Sequence, residues 1–183
     1  MHTNMAPLWQ LCRDGKLAEV REALARGEDV NSKADEDEEG FLTALMGAII
    51  GGGTEIVKLL LEQPTVDLNY SDTSGQTALD KAARKDNVEA VKMLLADPRL
   101  TTHNHKDNRG WTPAMMAAYW KRAGSLRELV AHPSVDLDIK DQNGRSLEEI
   151  ARWDWLLNIS CGMASLSLNS SLGDTIFWLV SRS

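Results

Sequence analysis

The sequence predicts an all-α solenoid in which helix-turn-helix units are stacked and joined by extended loops or β-hairpins. Its glycines at Gly40, Gly75, Gly110 and Gly144 follow one another at intervals of 35, 35 and 34 residues. Between them, apolar residues recur at helical spacing, and three units carry a proline after their second apolar segment. A fixed period of this length is typical of repeat proteins, whose units bury their apolar faces only against their neighbours.

Each unit is predicted to contain two short helices. The first begins after Thr43, Thr77 or Thr112, because threonine suits a helix N-cap, and Pro113 suits a first helical turn. The second helix covers the apolar runs 55–61, 89–95 and 126–130. The prolines that follow, at 64, 98 and 133, cannot continue a helix. An opening unit of the same kind lies upstream, in residues 11–31.

The run Gly51-Gly52-Gly53 follows an apolar segment and invites comparison with a phosphate-binding loop. Its glycines are contiguous and no lysine stands beside Thr54, so neither GxxxxGK[ST] nor GxGxxG is present. By period the run corresponds to 85–87 and 120–122, which hold charged and aromatic residues. The run is therefore predicted to be an inter-helix turn. Asn31 and Asn69, at the exits of two units, are predicted to shape the loops.

The units resemble those of the ankyrin repeat family, which carry a Gly-x-Thr-Pro-Leu-His-x-Ala start and an Asp-Val-Asn exit. The likeness covers about residues 7–153 and rests on the starts at 43–48, 77–82 and 112–117 and on the exits at 29–31, 66–69 and 135–138. The family histidine is replaced by Met46, Asp80 and Met115, and Thr43 stands one residue further from its glycine than its counterparts do.

We divide the chain into a repeat domain and a tail. The repeat domain covers 1–157, with units of about 1–39, 40–74, 75–109 and 110–143 and a partial unit 144–157, and the divergent tail covers 158–183. Only Asp174 and Arg182 are charged in residues 156–183, so the tail offers no polar terminal face. It is interpreted either as an irregular cap over the last unit or as a replacement of the final repeat. The alternation in 165–169 is typical of a short strand.

Composition limits the classes of partner. The 183 residues carry a net charge of -7, which argues against nucleic acid and anionic membranes as partners. No secretory signal and no bilayer-length apolar run is evident in the sequence. Its two cysteines, Cys12 and Cys161, lie far apart, which favours a reducing compartment, the cytoplasm or the nucleus. We expect a monomer.

The predicted function is that of a noncatalytic protein-protein interaction module. The resemblance implies partner contacts at the loop tips, at the residue after each glycine and at the end of each first helix. The residues at these places are Thr73, Ser74, Gln76, Arg84, Lys85, Asn108, Arg109, Trp111, Tyr119, Trp120, Gln142, Asn143, Arg145 and Trp153. A regulatory or structural segment of a larger assembly is the alternative, and an enzyme or a small-ligand-binding protein is less favoured.

Five of these residues are the types that dominate binding energy at interfaces. Arg109, Trp111, Tyr119, Trp120 and Trp153 are hypothesised to form a recognition patch on the concave side of the last two units. The alternative is that Trp120 and Trp153 pack under the carboxyl-terminal segment as cap residues.

The remaining candidate sites are weaker. The acidic run 35–39 is interpreted as a solvated loop, with electrostatic steering of a basic partner as the alternative. His103 and His105 have no third ligand nearby in sequence, so no metal or other cofactor is predicted. No nucleophile-elbow sequence supports a catalytic triad, so no catalytic residue is predicted. Cys12 is interpreted as a small core residue.

Overall fold

The computed structural model describes residues 6–33 and 41–151, which form helical pairs stacked side by side. The helices are α1 (Leu8–Arg13), α2 (Leu17–Ala25), α3 (Ala44–Gly51), α4 (Thr54–Leu61), α5 (Ala78–Lys85), α6 (Val88–Ala96), α7 (Pro113–Tyr119) and α8 (Ala123–Ala131). First helices pack in the order α1, α3, α5, α7, and second helices in the order α2, α4, α6, α8. In the described residues the extended loops form only isolated bridges, such as Ser71 with Thr77. The predicted all-α repeat fold is confirmed.

The first helices begin where the sequence predicts. Thr43, Thr77 and Thr112 are N-caps, and each hydroxyl accepts a hydrogen bond of 3.3 Å from the backbone N–H three residues on. Pro113 is the first residue of α7. These caps satisfy backbone donors that a helix start leaves unpaired.

One apolar core runs through all four pairs. The second helices contribute side chains that are fully or almost fully buried, namely Val57, Leu60, Val91, Leu94, Leu126 and Leu129. Leu61 and Val130, expected in the same contact, are only half-buried. Each apolar stripe is therefore covered by the neighbouring unit, which is the physical basis of stability in stacked repeats.

The three-glycine run is the inter-helix turn of the second pair, as predicted. Gly52 has a φ of 74°, and its periodic counterparts Asp86 and Lys121 have a φ of 56°. All three units thus have a residue in the left-handed conformation at the same position between their helices. Gly51 is needed for a different reason, because a Cβ placed on it would overlap the carbonyl oxygen of Arg13 in α1.

A repeated asparagine links each unit to the next. The side chains of Asn31, Asn69 and Asn104 donate to a backbone carbonyl of the following unit at 2.7 to 2.9 Å. Each side-chain oxygen also accepts a backbone N–H from that unit at 2.8 Å. The predicted loop-shaping role of Asn31 and Asn69 is therefore confirmed, since each asparagine fixes two loops at once.

Candidate protein-binding surface

Three loop tips of identical geometry extend from one end of the helical pairs. Asp72, Asp107 and Asp141 each accept two backbone N–H bonds of 2.8 to 2.9 Å at one carboxylate oxygen, from the residues two and four positions on. The glycine three residues after each aspartate has a positive φ and donates its N–H back to the aspartate carbonyl. The buried aspartate therefore holds the turn rigid. We call these tips, together with the carboxyl-terminal ends of α5 and α7, the tip surface (72–76, 84–85, 107–111, 119–120 and 141–145).

Neighbouring tips are hydrogen-bonded to one another. The Asn108 backbone donates to the Ser74 carbonyl at 3.0 Å, and its side chain donates to the Thr73 carbonyl at 2.9 Å. Gln142 repeats the arrangement one tip further on, since its side chain donates to the Asn108 carbonyl at 2.7 Å. Asn108 and Gln142, predicted as partner contacts, thus also connect the tips and give a continuous surface.

Trp111 lies beneath the tip surface and is only 6% exposed. Its indole N–H donates to Asp141 Oδ2 at 3.3 Å, and the Arg109 guanidinium lies over its ring at 4.2 Å from the centroid. The Tyr119 ring packs against it with centroids 4.6 Å apart. Trp111 was expected to contact a partner directly, but its position makes it a support for Arg109 and Tyr119.

Tyr119 and Trp120 form the exposed part of the same aromatic cluster. They are 44% and 43% exposed, and no other large hydrophobic side chain among the described residues is as open to solvent. Their rings meet edge to face with centroids 5.4 Å apart, a favourable arrangement for aromatic pairs. The predicted cluster of Arg109, Trp111, Tyr119 and Trp120 is therefore brought together, while Trp153 lies outside the described residues.

A groove of about 370 Å³ opens on this surface between the 72–76 and 107–111 tips. Its lining residues are Thr73, Ser74, Gln76, Arg84, Asp107, Asn108, Arg109 and Trp120. All except Asp107 belong to the set that the sequence predicted. Gln76 is buried at the groove floor, so it is accessible only from within the groove.

The remaining predicted residues that the structure describes do not line this groove. Lys85, Gln142 and Asn143 are exposed. Arg145 is half-buried and pairs with Asp141, with its Nη2 at 2.6 Å from Oδ2. Burial alone would raise the pKa of Asp141, but the Arg145 side chain and the backbone N–H donors outweigh it and lower the pKa to about 2.

Charged groups are also buried below the tips. Lys81 Nζ lies 2.7 Å from Asp72 Oδ2, and both side chains are almost inaccessible to solvent. Asp80 accepts two hydrogen bonds of 2.8 Å from Thr77 at one oxygen. Burial raises the pKa of Asp80 to about 7. The hydrogen bonds from Thr77 oppose this rise, and the nearby Asp107 and Asp72 carboxylates add to it. The sequence analysis identified Asp80 only as a departure from the family pattern and did not single out Lys81 or Asp107. Asp107 could have been found, because an aspartate stands three residues before each repeat glycine.

The other sequence candidates have structural contacts. The His103 and His132 rings stack with centroids 5.4 Å apart, and His105 Nε2 lies 3.1 Å from the Gly75 carbonyl oxygen. Among the described residues no three His, Cys, Asp or Glu side chains are grouped as metal ligands would be. Cys12 lies in the core as expected, and burial raises the pKa of its thiol to about 12. The acidic run 35–39 and the tail 158–183 lie outside the described residues.

The sequence of the repeats matches a known protein family. A family model described as ankyrin repeats (3 copies) matches residues 8–104. The chain belongs to the ankyrin repeat family. Ankyrin repeats are generally noncatalytic modules for protein-protein interaction. None of the helices in the described part of the chain is long and apolar enough to cross a membrane.

Individual relatives match this chain over only part of their own length. SH3 and multiple ankyrin repeat domains protein 2 of Homo sapiens is 30% identical over 145 residues, which cover 78% of this chain and 7% of that protein. Inversin of Gallus gallus is 32% identical over 115 residues, covering 62% of this chain and 10% of that protein. An ankyrin repeat protein of Fowlpox virus is 30% identical over 122 residues, covering 67% of this chain and 35% of that protein. This chain therefore spans a tenth or less of the length of the first two relatives.

Proposed function

We propose that this chain is a noncatalytic module that binds a partner polypeptide on its tip surface, mainly through the third and fourth units. The observation that carries the proposal is the exposure of Tyr119 and Trp120 beside the groove. An aromatic side chain left nearly half exposed costs hydration free energy, and tyrosine and tryptophan are the usual anchors of protein interfaces.

The rigidity of this surface supports the same function. Its tips are held by buried aspartates and joined through Asn108 and Gln142, so little conformational entropy is lost when a partner binds. The exposed residues of the predicted set would contact the partner, and the buried Gln76 and Trp111 would support them from below.

The cellular setting is part of the proposal. We place the protein in the cytoplasm or the nucleus, because Cys12 is a buried free thiol, as is usual in a reducing compartment. We further propose that the protein is a monomer. Cell fractionation tests the compartment, and sedimentation equilibrium tests the monomer.

The test begins with affinity capture from the source cells by the tagged chain, followed by identification and purification of the captured protein. Trp120→Ala is expected to weaken binding of that purified partner at least about 30-fold, the effect of removing a hot-spot residue. Lys58→Ala, an exposed change on the outer helix α4, is the matched control and should leave affinity unchanged. Equal affinities of the wild-type chain and Trp120→Ala, with a lowered melting temperature for the latter, would instead favour a cap role for Trp120.

A regulatory or structural segment of a larger assembly is the second candidate. It is favoured by the small share of each relative that this chain covers. If the isolated chain captures no specific partner, while the longer protein that contains it does, this second function is preferred. An enzyme or small-ligand-binding protein would have to show turnover or saturable binding in a screen of the purified chain.

A further inference from the structure

We infer that the groove between the 72–76 and 107–111 tips receives an acidic segment of the partner polypeptide, with an aspartate or glutamate facing Arg84 and Arg109 and an adjacent apolar side chain against Trp120. This inference rests on the proposed function and adds the chemistry of the bound segment. It is carried by the charges that reach the groove, by the positioning of Arg109 and by the aromatic wall.

The exposed charges that line the groove are positive, although the whole chain carries a net charge of -7. Arg84 and Arg109 both line it, and Lys85 is exposed directly after Arg84. The carboxylates of this region lie underneath and are held by the protein itself. Asp107 is 1% exposed and pairs with Arg109, and Asp72 is fully covered and pairs with Lys81. A partner therefore meets cationic groups here, and a carboxylate is the complementary charge.

Arg109 is already held in a binding position. Its Nε and Nη2 donate to Asp107 Oδ2 at 3.0 and 2.8 Å, and its guanidinium plane rests on the Trp111 ring. The side chain is nevertheless 47% exposed. A guanidinium has five N–H donors in a planar fork, so the Asp107 pair leaves donors that can reach a second carboxylate. Because the side chain is fixed before binding, less rotamer entropy is lost than for a mobile lysine.

Trp120 adds the apolar half of the recognition. Its exposed ring is part of the same groove wall as Arg84 and Arg109. An aliphatic or aromatic side chain next to the acidic residue would cover this ring and exclude water from the neighbouring ion pairs, which strengthens them. A uniformly acidic segment would leave the ring exposed, so we expect acidic and apolar residues to be adjacent.

The experiment is selection of a randomised short-peptide display library on the folded full chain, followed by affinity measurement of the selected peptides. Selected peptides are expected to be net negative, with an aspartate or glutamate beside an apolar residue. Arg84→Gln should weaken them about tenfold, as expected for loss of a charge-assisted hydrogen bond. Raising the ionic strength from about 0.05 M to about 0.5 M should also weaken binding of the selected peptides to the wild-type chain. Lys58→Gln, which removes one charge from the outer helix α4, is the control and should change nothing.

The outcomes separate this inference from the proposed function. Peptides of neutral or positive charge, or unchanged binding of Arg84→Gln, would overturn the acidic-segment inference. If selection yields no binder while the purified cellular partner still depends on Trp120, the acidic segment is wrong and the protein-binding function stands. If the partner also ignores Trp120→Ala, the proposed binding site at Trp120 is wrong as well, although the chain still binds that partner. Arg109→Lys is a second variant that keeps the charge next to Asp107, and it should weaken the selected peptides by removing the planar fork.

Discussion

Replacing Asp80 by asparagine is expected to abolish a loss of stability that the wild-type protein undergoes between pH 6 and pH 8. Asp80 stands where the family carries histidine and is fully buried. Its Oδ2 accepts two hydrogen bonds from Thr77, whereas its Oδ1 accepts none from the described residues. Burial of this poorly solvated carboxylate raises its pKa to about 7, and the nearby Asp107 and Asp72 contribute to the rise.

The magnitude follows from proton linkage. The ordinary pKa of an aspartate in an unfolded chain is about 3.9. The folded pKa of Asp80 is about 7, so the folded state binds the proton more tightly. The stability that results is fully present below the unfolded pKa and is lost as the pH rises through the folded pKa. Because pH 6 and pH 8 lie on either side of about 7, the free energy of unfolding should fall by about 1 kcal/mol between them.

Urea unfolding at pH 6, 7 and 8 measures this loss. The amide introduced by Asp80→Asn retains an oxygen that can accept the Thr77 bonds, and it cannot ionise. Asp138→Asn removes an exposed loop carboxylate and is the control. The ionisable groups that the three proteins share contribute equally to all of them and cancel in the comparison. Wild type and control should each lose about 1 kcal/mol more than Asp80→Asn. Equal losses in all three would refute the raised pKa of Asp80.

Three further substitutions test the packing of the repeats by urea unfolding. Gly51→Ala should lower the free energy of unfolding by about 2 kcal/mol or more, because its Cβ would overlap the Arg13 carbonyl. Gly53→Ala, whose Cβ meets only a side chain, is the control and should lower it by less than about 1 kcal/mol. Equal losses would contradict close packing of α1 on α3. Asn69→Ala should lower the free energy of unfolding by about 1 to 3 kcal/mol, because it leaves backbone groups of the next unit unpaired. Unchanged stability would contradict the inter-unit link. Trp111→Phe should lower the free energy of unfolding by about 1 kcal/mol, because it removes the hydrogen bond from the indole N–H to Asp141 in the next tip. A loss of partner affinity larger than this loss of stability would instead show that Trp111 contacts the partner directly.

The repeat period was enough to predict the backbone of each unit. It aligned Gly52 with Asp86 and Lys121, and all three adopt the left-handed conformation although their side chains differ. The reason is physical, because a tight turn between two packed helices has one backbone solution, and each unit repeats the same packing. The predicted threonine caps are correct for the same reason.

Contacts between units could not be predicted in the same way. The residue after each repeat glycine was expected to face a partner, yet Gln76 and Trp111 are buried and only Arg145 is half-exposed. Whether such a side chain turns inward depends on the space left by the following tip, and the period does not specify that space. The raised pKa of Asp80 likewise comes mainly from burial, with carboxylates from two different tips adding to it, and only the folded chain produces this environment.

The equivalent positions of the other units show whether the fold requires a tryptophan at Trp120. Trp120 corresponds by period to Gly51 and Lys85. In the second unit glycine is required, since the Arg13 carbonyl occupies the place of a side chain. In the third unit the same position holds an exposed lysine, so the scaffold accepts a long polar side chain there. The equivalent positions therefore give no requirement for tryptophan in the fourth unit, where the ring remains 43% exposed at the cost of hydrating apolar surface. We propose that a contact covering this ring in the bound state accounts for its presence, and that the groove beside it is where this contact forms.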